Sequence, residues 1–161
     1  MDINKEYFQT KEELYSRMEG LTRDMLRETE DVYAVLANVS AMMMLLMPDV
    51  SWSGFYLMKK GKLVLGPFQG KPAVAEIAIG KGVCGTAAET RETQIVADVH
   101  TCANHIACDA STASEIVVPI VDDGILYGVI DIDSRKKARF DEEDGRGLQK
   151  IAGILAGALE L

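Results

Sequence analysis

The chain contains 161 residues, of which 48% are hydrophobic and 26% are charged, and its formal net charge is −8. This length and composition predict one compact globular domain without a disordered tail. Because binding to phosphates needs clustered lysine and arginine side chains, the acidic balance argues against nucleic acid or an anionic membrane surface as a partner.

The N-terminus and the apolar runs argue against membrane insertion. The first six residues are polar and charged, unlike a signal peptide. The longest apolar stretch, residues 41–47, has about a third of the length of a membrane span. Three cysteines, Cys84, Cys102 and Cys108, are a poor number for a disulfide framework. We therefore expect a cytoplasmic protein with reduced thiols.

Helical periodicity marks both ends of the chain. Apolar residues at helical spacing predict three helices, over residues 10–27, 31–47 and 141–159. In the last helix Asp141 and Asp144 stand three residues apart, close to a capping-box arrangement. The methionine run at 42–44 is more typical of a core than of a cofactor site.

Strand patterns occupy the middle of the chain. They predict strands over residues 51–58, 63–65, 73–79, 94–96, 115–121 and 125–134. Residues 97–114 form a long irregular segment, and a loop of that length inside a compact domain is usually functional. The order of elements predicts an α+β fold, with a central antiparallel sheet and the helices from the chain termini packed on one side.

A glycine-rich segment over residues 80–85 matches the pattern GxGxxG. We expect a loop that leads into a short helix over residues 86–90, with Asp98 near the distance expected of a ribose-binding acid. Dinucleotide binding is disfavoured because the surrounding strands do not alternate with helices as βαβ units do. The N–H groups at the helix start would favour a thiolate at Cys84.

The last two predicted strands carry a group of carboxylates. Asp131 and Asp133 are two residues apart on a strand and therefore share a face. A three-residue loop at 122–124 with a G1 bulge would place Glu115 opposite Asp131. Since opposed like charges destabilise a sheet, the cluster indicates a metal site, an acid catalyst, an ammonium receptor or a solvated sheet end.

The long loop suggests two further kinds of site. His100 and His105, together with the cysteines, raise the possibility of structural zinc, although the chain has neither CxxC nor HExxH. A thiol pair is the better interpretation, because Cys84 at a helix start and Cys108 on the loop could meet across a pocket. A disulfide between them would need Cα atoms within about 7 Å.

Taken in chain order, these motifs resemble those of the free methionine-(R)-sulfoxide reductases, which are small stand-alone GAF-domain enzymes. The resemblance covers nearly the whole chain and rests on GKGVCGTAA (80–88), TQIVADV (93–99), HIACD (105–109), SEIVVP (114–119), GVIDIDS (128–134) and FDEED (140–144). It implies a single GAF domain over residues 1–161 and an oxidoreductase activity.

The resemblance also implies roles for the thiols. Cys108 would be the nucleophile and Cys84 its resolving partner, with the reverse order as the alternative. Many members carry a further cysteine at the position of Val74, whereas Cys102 lies outside the family pattern. The expected disulfide is therefore Cys84–Cys108, unless Cys102 substitutes.

The resemblance implies three acidic pocket residues and one residue of an aromatic wall: Glu115, Asp131, Asp133 and Trp52. A sulfoxide oxygen leaves only when it is protonated, so we expect the carboxylic acid of Asp133 or Glu115 to donate that proton. Asp131 would hold the substrate ammonium group. Backbone N–H groups around Ile106 and Ala107 would meet the substrate carboxylate.

The predicted function is the reduction of free L-methionine-(R)-sulfoxide to methionine, through a cysteine sulfenic acid and an intramolecular disulfide. Thioredoxin or a similar dithiol would recycle the enzyme, which would need neither a bound cofactor nor a metal. The apolar terminal helices and the family favour a homodimer. The alternatives are a non-catalytic GAF module that senses a small molecule or redox state, and a zinc-binding structural protein.

Overall fold

The structure, a computed structural model, describes residues 2–101 and 110–159. Four α-helices lie in these two ranges: α1 (Lys11–Glu28), α2 (Val32–Leu46), α3 (Gly82–Thr90) and α4 (Glu142–Leu159). None of these helices combines the length and the apolar character that a bilayer crossing requires.

Side-chain caps fix where the predicted terminal helices begin. Thr10 accepts a hydrogen bond from the Glu13 backbone N–H at 3.2 Å, and Asp31 accepts one from Ala34 N–H at 3.1 Å. Each bond satisfies a backbone donor that has no partner within its own helix. The observed bounds confirm the predicted α1 and α2 to within one residue at each end.

The start of α4 is a reciprocal cap. The carboxylate of Asp141 accepts hydrogen bonds from the backbone N–H groups of Glu143 and Asp144. In return, the Asp144 carboxylate accepts one from the backbone N–H of Asp141 at 3.0 Å. The capping-box interpretation of this segment is therefore confirmed, with aspartate in the position that glutamate usually occupies.

The strands form one sheet in which every pair is antiparallel. In chain order they are β1 (Trp52–Lys59), β2 (Lys62–Gln69), β3 (Glu76–Ile77), β4 (Gln94–Val96), β5 (Ser114–Asp122) and β6 (Ile125–Ser134). Their order across the sheet is β3-β2-β1-β6-β5-β4. The absence of parallel pairs within the described ranges agrees with the rejection of a dinucleotide-binding fold.

The two faces of the sheet bury different clusters. Ile116, Ile130 and Ile132 pack with α1, α2 and α4 in the larger cluster, which also holds Met42 and Met43. The opposite face packs with α3 in a smaller cluster. Because strand residues alternate between faces, each residue next to one of these isoleucines points towards α3. The predicted packing of the terminal helices on one side of the sheet is confirmed.

The β5–β6 hairpin corrects the predicted turn and register. The connection has two residues, Asp123 and Gly124, both at positive φ (50° and 76°) as a type I′ turn requires. A bulge between Ile120 and Val121 adds a further offset. As a result Glu115 lies opposite Asp133 and not opposite Asp131. The error is two residues, so the predicted face is still right.

Helix α3 starts at Gly82, four residues before the predicted start at 86. Most of the segment that we predicted as a glycine-rich loop therefore belongs to the helix. Gly80 and Gly82 have φ of +86° and +65°, which supply the turn before the helix. Gly85 lies inside the helix, where an added Cβ would come within 2.6 Å of the Ala78 carbonyl oxygen. The glycine at 85 therefore serves close packing, although its residue type predicted a loop.

The segment that precedes β3 is mostly not a strand. We predicted a strand over residues 73–79, but only Glu76–Ile77 pairs with β2, which itself extends to Gln69. Pro72, directly before this segment, has no N–H to donate to a ladder. Residues 71–74 are held instead by side chains of β1: Trp52 donates to the Lys71 carbonyl, and Tyr56 donates to the Val74 carbonyl.

Candidate active site

Three carboxylates meet on the α3 side of the β5–β6 hairpin. Glu115 on β5 lies directly opposite Asp133 on β6, and Asp131 stands two residues earlier on the same face. Their exposed fractions are 5%, 6% and 8% for Glu115, Asp131 and Asp133. Carboxylates are almost never buried to this extent unless they are paired or functional, so the interpretation as a solvated sheet end is wrong.

Cys84 approaches this cluster from the first turn of α3. Its sulfur, a carboxylate oxygen of Glu115 and one of Asp131 all lie within 4.8 Å of one another. The thiol is 4% exposed. The tight turn at Gly80 and Gly82 brings the helix start close to the sheet, and this places the thiol among the acids.

A small cavity of about 20 Å³ lies between the cluster and α3 and has room for about one water molecule. The carboxylates and Cys84 line it together with Tyr56, Lys81 and Thr112. Lys81 is the single basic residue among the lining residues that the structure describes. The lining therefore combines an acidic side, formed by the sheet, with one ammonium group at the start of α3.

An aromatic wall, defined here as Trp52, Tyr56 and Phe68, adjoins the cavity. The Trp52 ring stacks on Phe68 at 5.1 Å and on Tyr56 at 6.1 Å between ring centroids. Trp52 lies opposite Asp133 in the β1–β6 pair, and Tyr56 reaches the cavity itself. The predicted aromatic residue thus lies beside the acidic cluster, one ring removed from the cavity lining.

The environment of Glu115 favours its neutral form. Burial raises the pKa of Glu115 well above its ordinary value of 4.5, and the negative charges of Asp131 and Asp133 raise it further. Hydrogen bonds with the same two aspartates also favour the protonated carboxyl group. These effects all favour the protonated carboxylic acid of Glu115, which lines the cavity.

The environment of Cys84 opposes the thiolate that its helix position had suggested. Burial raises the pKa of the Cys84 thiol well above its usual range, and Asp131, Glu115 and Asp133 add to the increase. A helix N-terminus favours an anion by about 1 kcal/mol. Desolvation together with three acids outweighs that contribution, so Cys84 rests as a protonated thiol.

Several predicted site residues lie outside the described residues. These are Cys108, Ile106 and Ala107, together with Cys102 and His105 of the alternative hypotheses. The structure brings together the remaining predicted residues, namely Cys84, Glu115, Asp131, Asp133 and Trp52. The pairing of Cys84 with Cys108 stays a prediction.

Sequence reasoning missed the three lining residues that have polar side chains besides Cys84 and the carboxylates: Tyr56, Lys81 and Thr112. A signal for Tyr56 was present, because it stands four residues after Trp52 on one strand and so shares its face. Lys81 stands in the glycine-rich segment directly before α3. The sequence of a turn has no periodicity that would show which side chain faces a cavity. Thr112 reaches the cavity from the end of the long loop.

Within the described ranges, one group of side chains has a spacing compatible with a metal ion: Cys84, Glu115 and Asp131. The zinc hypothesis used His100, His105 and the three cysteines, and of these only Cys84 belongs to this group. The absence of a resident metal stays a prediction.

Comparison with known proteins identifies the family. A GAF-domain family model matches residues 22–160. The chain is 42% identical to the free methionine-R-sulfoxide reductase of Escherichia coli over 149 residues, which cover 92% of this chain and 90% of that protein.

Solved structures agree with the sequence comparison. The free methionine-R-sulfoxide reductase of Neisseria meningitidis, solved in complex with its substrate, superposes with a TM-score of 0.93 at 38% identity, covering 99% of this chain and 96% of that one. The fRMsr of Staphylococcus aureus in its reduced form gives a TM-score of 0.85 at 45% identity, covering 90% and 94%. The chain therefore belongs to the GAF-domain family of free methionine-R-sulfoxide reductases.

Proposed function

We propose that this protein reduces free methionine-(R)-sulfoxide to methionine with its own cysteine thiols. The observation that carries the proposal is the buried group of Glu115, Asp131, Asp133 and Cys84, in which an acid retains its proton beside a thiol. Relatives that share the fold at 38–45% identity include structures of reductases for this substrate.

The acidic cluster supports a division of labour between its members. Sulfoxide reduction needs a proton on the departing oxygen, and Glu115 is the best placed donor because its neighbours keep it neutral. Asp133, which lies opposite Glu115, is the second candidate for that role. Asp131 would receive the substrate ammonium group through a charge-assisted hydrogen bond.

This arrangement favours a free amino acid over a methionine inside a peptide chain. The free amino acid offers an ammonium group that a buried carboxylate can bind, and the peptide-bound residue lacks that group. Backbone N–H groups of Ile106 and Ala107 are proposed to bind the substrate carboxylate. The aromatic wall would contact the methyl group on sulfur.

The thiols carry the electrons in two steps. A Cys108 thiolate attacks the substrate sulfur, the oxygen takes a proton from Glu115, and the products are methionine and a Cys108 sulfenic acid. The Cys84 thiol then condenses with the sulfenic acid, which forms a disulfide and releases water. A dithiol such as thioredoxin reduces the disulfide by exchange. The high pKa of Cys84 supports its assignment as the second thiol, since it does not start as a thiolate.

The direct test is a thioredoxin-coupled assay with the separated epimers of free methionine sulfoxide. We expect consumption of the R epimer and none of the S epimer, with N-acetylmethionine sulfoxide as a control that lacks the ammonium group. Binding of the R epimer without turnover would contradict the proposal and would favour the sensor function instead.

Cysteine variants test the assignment of the thiols. Cys108→Ser should abolish turnover, and Cys84→Ser should complete about one turnover and then stop at the sulfenic acid. Cys102→Ser is the matched control and should keep normal activity. Mass spectrometry after one turnover should find a Cys84–Cys108 link, whereas a Cys102–Cys108 link would overturn the choice of resolving thiol.

A further inference from the structure

The end of the β5–β6 hairpin carries a pair of serines directly behind the facing carboxylates. Ser114 precedes Glu115 and Ser134 follows Asp133, and the two serines lie opposite each other in the register. Both are fully buried. Because strand residues alternate between faces, the serines point towards the larger helix cluster while the carboxylates point towards α3. We call Ser114 and Ser134 the serine clamp.

The serine clamp ties the hairpin end to the connection that leads into α4. The Ser114 hydroxyl donates to the Lys136 carbonyl at 2.5 Å and accepts from the Arg139 backbone N–H at 3.3 Å. The Ser134 hydroxyl accepts from the Lys136 backbone N–H at 3.0 Å. Three backbone groups of one short connection are thus bonded to two side chains at the end of the hairpin.

Backbone bonds hold the same end of the hairpin from both neighbours. The Ala113 N–H donates to the Ser134 carbonyl at 2.8 Å, which closes the last rung of the β5–β6 pair. On the β1 side, the backbone N–H and the hydroxyl of Ser51 both donate to the Asp133 carbonyl, at 2.8 Å and 3.3 Å. The backbone that carries Glu115 and Asp133 is therefore fixed on each side.

The connection itself is strongly basic, with the sequence RKKAR over residues 135–139. Four of these five residues are cationic, yet each is engaged with the fold. Arg135 donates to the Ser111 hydroxyl, Lys136 pairs with Asp49, Lys137 pairs with Asp98, and Arg139 pairs with Asp144. The run therefore acts as a brace across the sheet end and is not an anion-binding patch.

We propose that the serine clamp positions Glu115 and Asp133 for proton transfer to the substrate oxygen. The inference rests on the proposed function for the identity of the reaction, and on the hydrogen bonds above for the positioning. Ser114 and Ser134 touch neither the cavity nor a reacting atom, since they lie on the opposite face of the sheet. They are positioning residues that act through the two carboxylates beside them.

The physical need for such a clamp comes from the charges that it holds together. Two facing carboxyl groups repel when both are ionised, and the last pair of a hairpin is the pair that most easily separates. A wider gap would admit water and would weaken the influence of Asp133 on Glu115. The clamp keeps the strands at hydrogen-bonding distance, so that Glu115 stays a neutral acid hydrogen-bonded to Asp133 and this repulsion does not arise.

The groups around Glu115 determine how its pKa would respond if the end of the hairpin opened. Asp131 and Asp133 face it from β6, Cys84 lies on α3, and Lys81 directly precedes that helix. On β4 its partner is Val96, which carries no charge. Among the described residues, Asp133 is the neighbour whose distance depends on the hairpin end, so loss of the clamp acts mainly through that contact.

The test is the Ser114→Ala variant, which removes the hydroxyl and keeps the rest of the side chain. We expect kcat to fall about 10- to 100-fold, as a small misplacement of a reacting group does, with KM changed less than about threefold. The basic limb of the kcat profile should also move to lower pH. Glu115 must be protonated to act, and a wider gap lowers its pKa towards the ordinary value.

Ser53→Ala is the matched control. Ser53 is a fully buried serine on β1 that follows the wall residue Trp52, and its hydroxyl donates to the Ser40 carbonyl at 2.9 Å. This variant should lose a comparable amount of stability and keep the wild-type pH profile. If Ser114→Ala does not fold, Ser134→Ala takes its place, because it removes only the bond to the Lys136 N–H. It should move the basic limb of the kcat profile in the same direction by a smaller amount.

A titration of the Glu115 side-chain carboxyl carbon by NMR separates this inference from the proposed function. A lower Glu115 pKa in Ser114→Ala, with no change in Ser53→Ala, would support the clamp even if the R epimer were not turned over. An unchanged titration and an unchanged kcat in a folded Ser114→Ala variant would overturn the clamp. Turnover that depends on Cys108 would then still support the proposed function.

Discussion

The molecule buries acidic side chains in two places, and the two places satisfy them in opposite ways. Asp144, on the side of the terminal helices, is fully buried and surrounded by donors and cations. Glu115, Asp131 and Asp133, on the α3 side, are buried mainly against one another and a thiol. The contacts of Asp144 stabilise the fold, whereas the crowding of the three carboxylates raises the pKa of Glu115, as acid catalysis requires.

The negative charge of Asp144 is balanced by neighbouring cations and hydrogen-bond donors of the protein. Lys11 and Tyr15 of α1 each donate to the carboxylate at 2.7 Å, and the Arg139 guanidinium lies 3.5 Å away. The backbone N–H of Asp141 adds another bond at 3.0 Å. Burial, reinforced by the Asp144 charge, raises the pKa of the Tyr15 hydroxyl. The site joins α1 to α4 and leaves no chemical function for the acid.

The carboxylate cluster is arranged differently, because its three acids and Cys84 face one another in one buried group. Lys81 lines the same cavity and is itself exposed. The acids lower their mutual repulsion by keeping a proton on Glu115. A protonated acid beside a cavity can give its proton to a substrate, whereas Asp144 cannot. Substitutions at the Asp144 site should therefore change mainly stability, and substitutions in the carboxylate cluster should change mainly activity.

The largest expected effect on stability is that of Asp144→Ala. The change leaves Lys11, Arg139 and the Tyr15 hydroxyl around an empty buried position, so the free energy of unfolding should fall by about 3–5 kcal/mol. Urea denaturation at pH 7 measures this loss. Glu143→Ala is the control, because it removes an exposed acid from the same turn and should change stability by no more than about 0.5 kcal/mol.

The comparison also predicts what Asp144→Ala leaves intact. The specific activity of the folded fraction should equal that of the wild type, since Asp144 lies on the other face of the sheet from the cavity. A stability loss below about 1 kcal/mol, or a clear fall in specific activity of folded protein, would contradict the structural role of this acid.

Two tyrosines, one at each acidic site, allow the same comparison with smaller expected losses of stability. Tyr15→Phe removes a hydrogen bond to a charged group and should cost about 1.5–3 kcal/mol in unfolding free energy. Tyr56→Phe removes a 2.8 Å bond to the neutral Val74 carbonyl and should cost about 0.5–1.5 kcal/mol. Chemical denaturation of both variants, with activity assays alongside, measures the two effects.

The two tyrosine variants should rank in opposite order for activity. Tyr56 lines the cavity, and its loss should raise KM for methionine sulfoxide, whereas Tyr15→Phe should leave KM unchanged. Gly147 packs against the Tyr15 ring so closely that a Cβ would come within 2.3 Å of it, and this packing keeps the ring in place without its hydroxyl. The same order in stability and activity would argue against the separation of the two sites.

Much of the fold could be predicted because its signals are local. The caps at Thr10, Asp31 and Asp141 precede apolar residues at helical spacing, and each begins a helix as predicted. The shared face of Asp131 and Asp133 follows from strand alternation alone. A register error of an even number of residues did not disturb that conclusion, because the side-chain period of a strand is two.

The parts that sequence reasoning missed depend on contacts distant in the chain. The bulge between Ile120 and Val121 changes which carboxylates face each other, and it has no local composition signal. The capping-box pattern predicts that Asp144 binds the helix start, but its burial by Tyr15 comes from the packing of α1. Likewise, the high pKa of Cys84 results from acids that other elements bring to it.

The expected stability effect of Glu115→Gln has the opposite sign. Glutamine keeps the shape and can donate to the neighbouring aspartates, so the buried charge that forms at high pH is removed. We expect the variant to be more stable than the wild type by about 1 kcal/mol at pH 8.5. Its turnover should fall about 10²–10⁴-fold, because the amide cannot donate the proton that the leaving oxygen needs.

The pH dependence of this gain tests the electrostatic argument. The folded-state pKa of Glu115 lies above its ordinary value of 4.5, so the folded protein holds a proton that the unfolded chain releases. The stability linked to that proton is complete below about pH 4.5 and is lost as the pH rises through the folded-state pKa. Urea denaturation of both proteins should therefore give a difference that grows from pH 5.5 to pH 8.5. A constant difference would mean that Glu115 is already ionised at pH 5.5, and the contrast between the two acidic sites would then have to rest on packing alone.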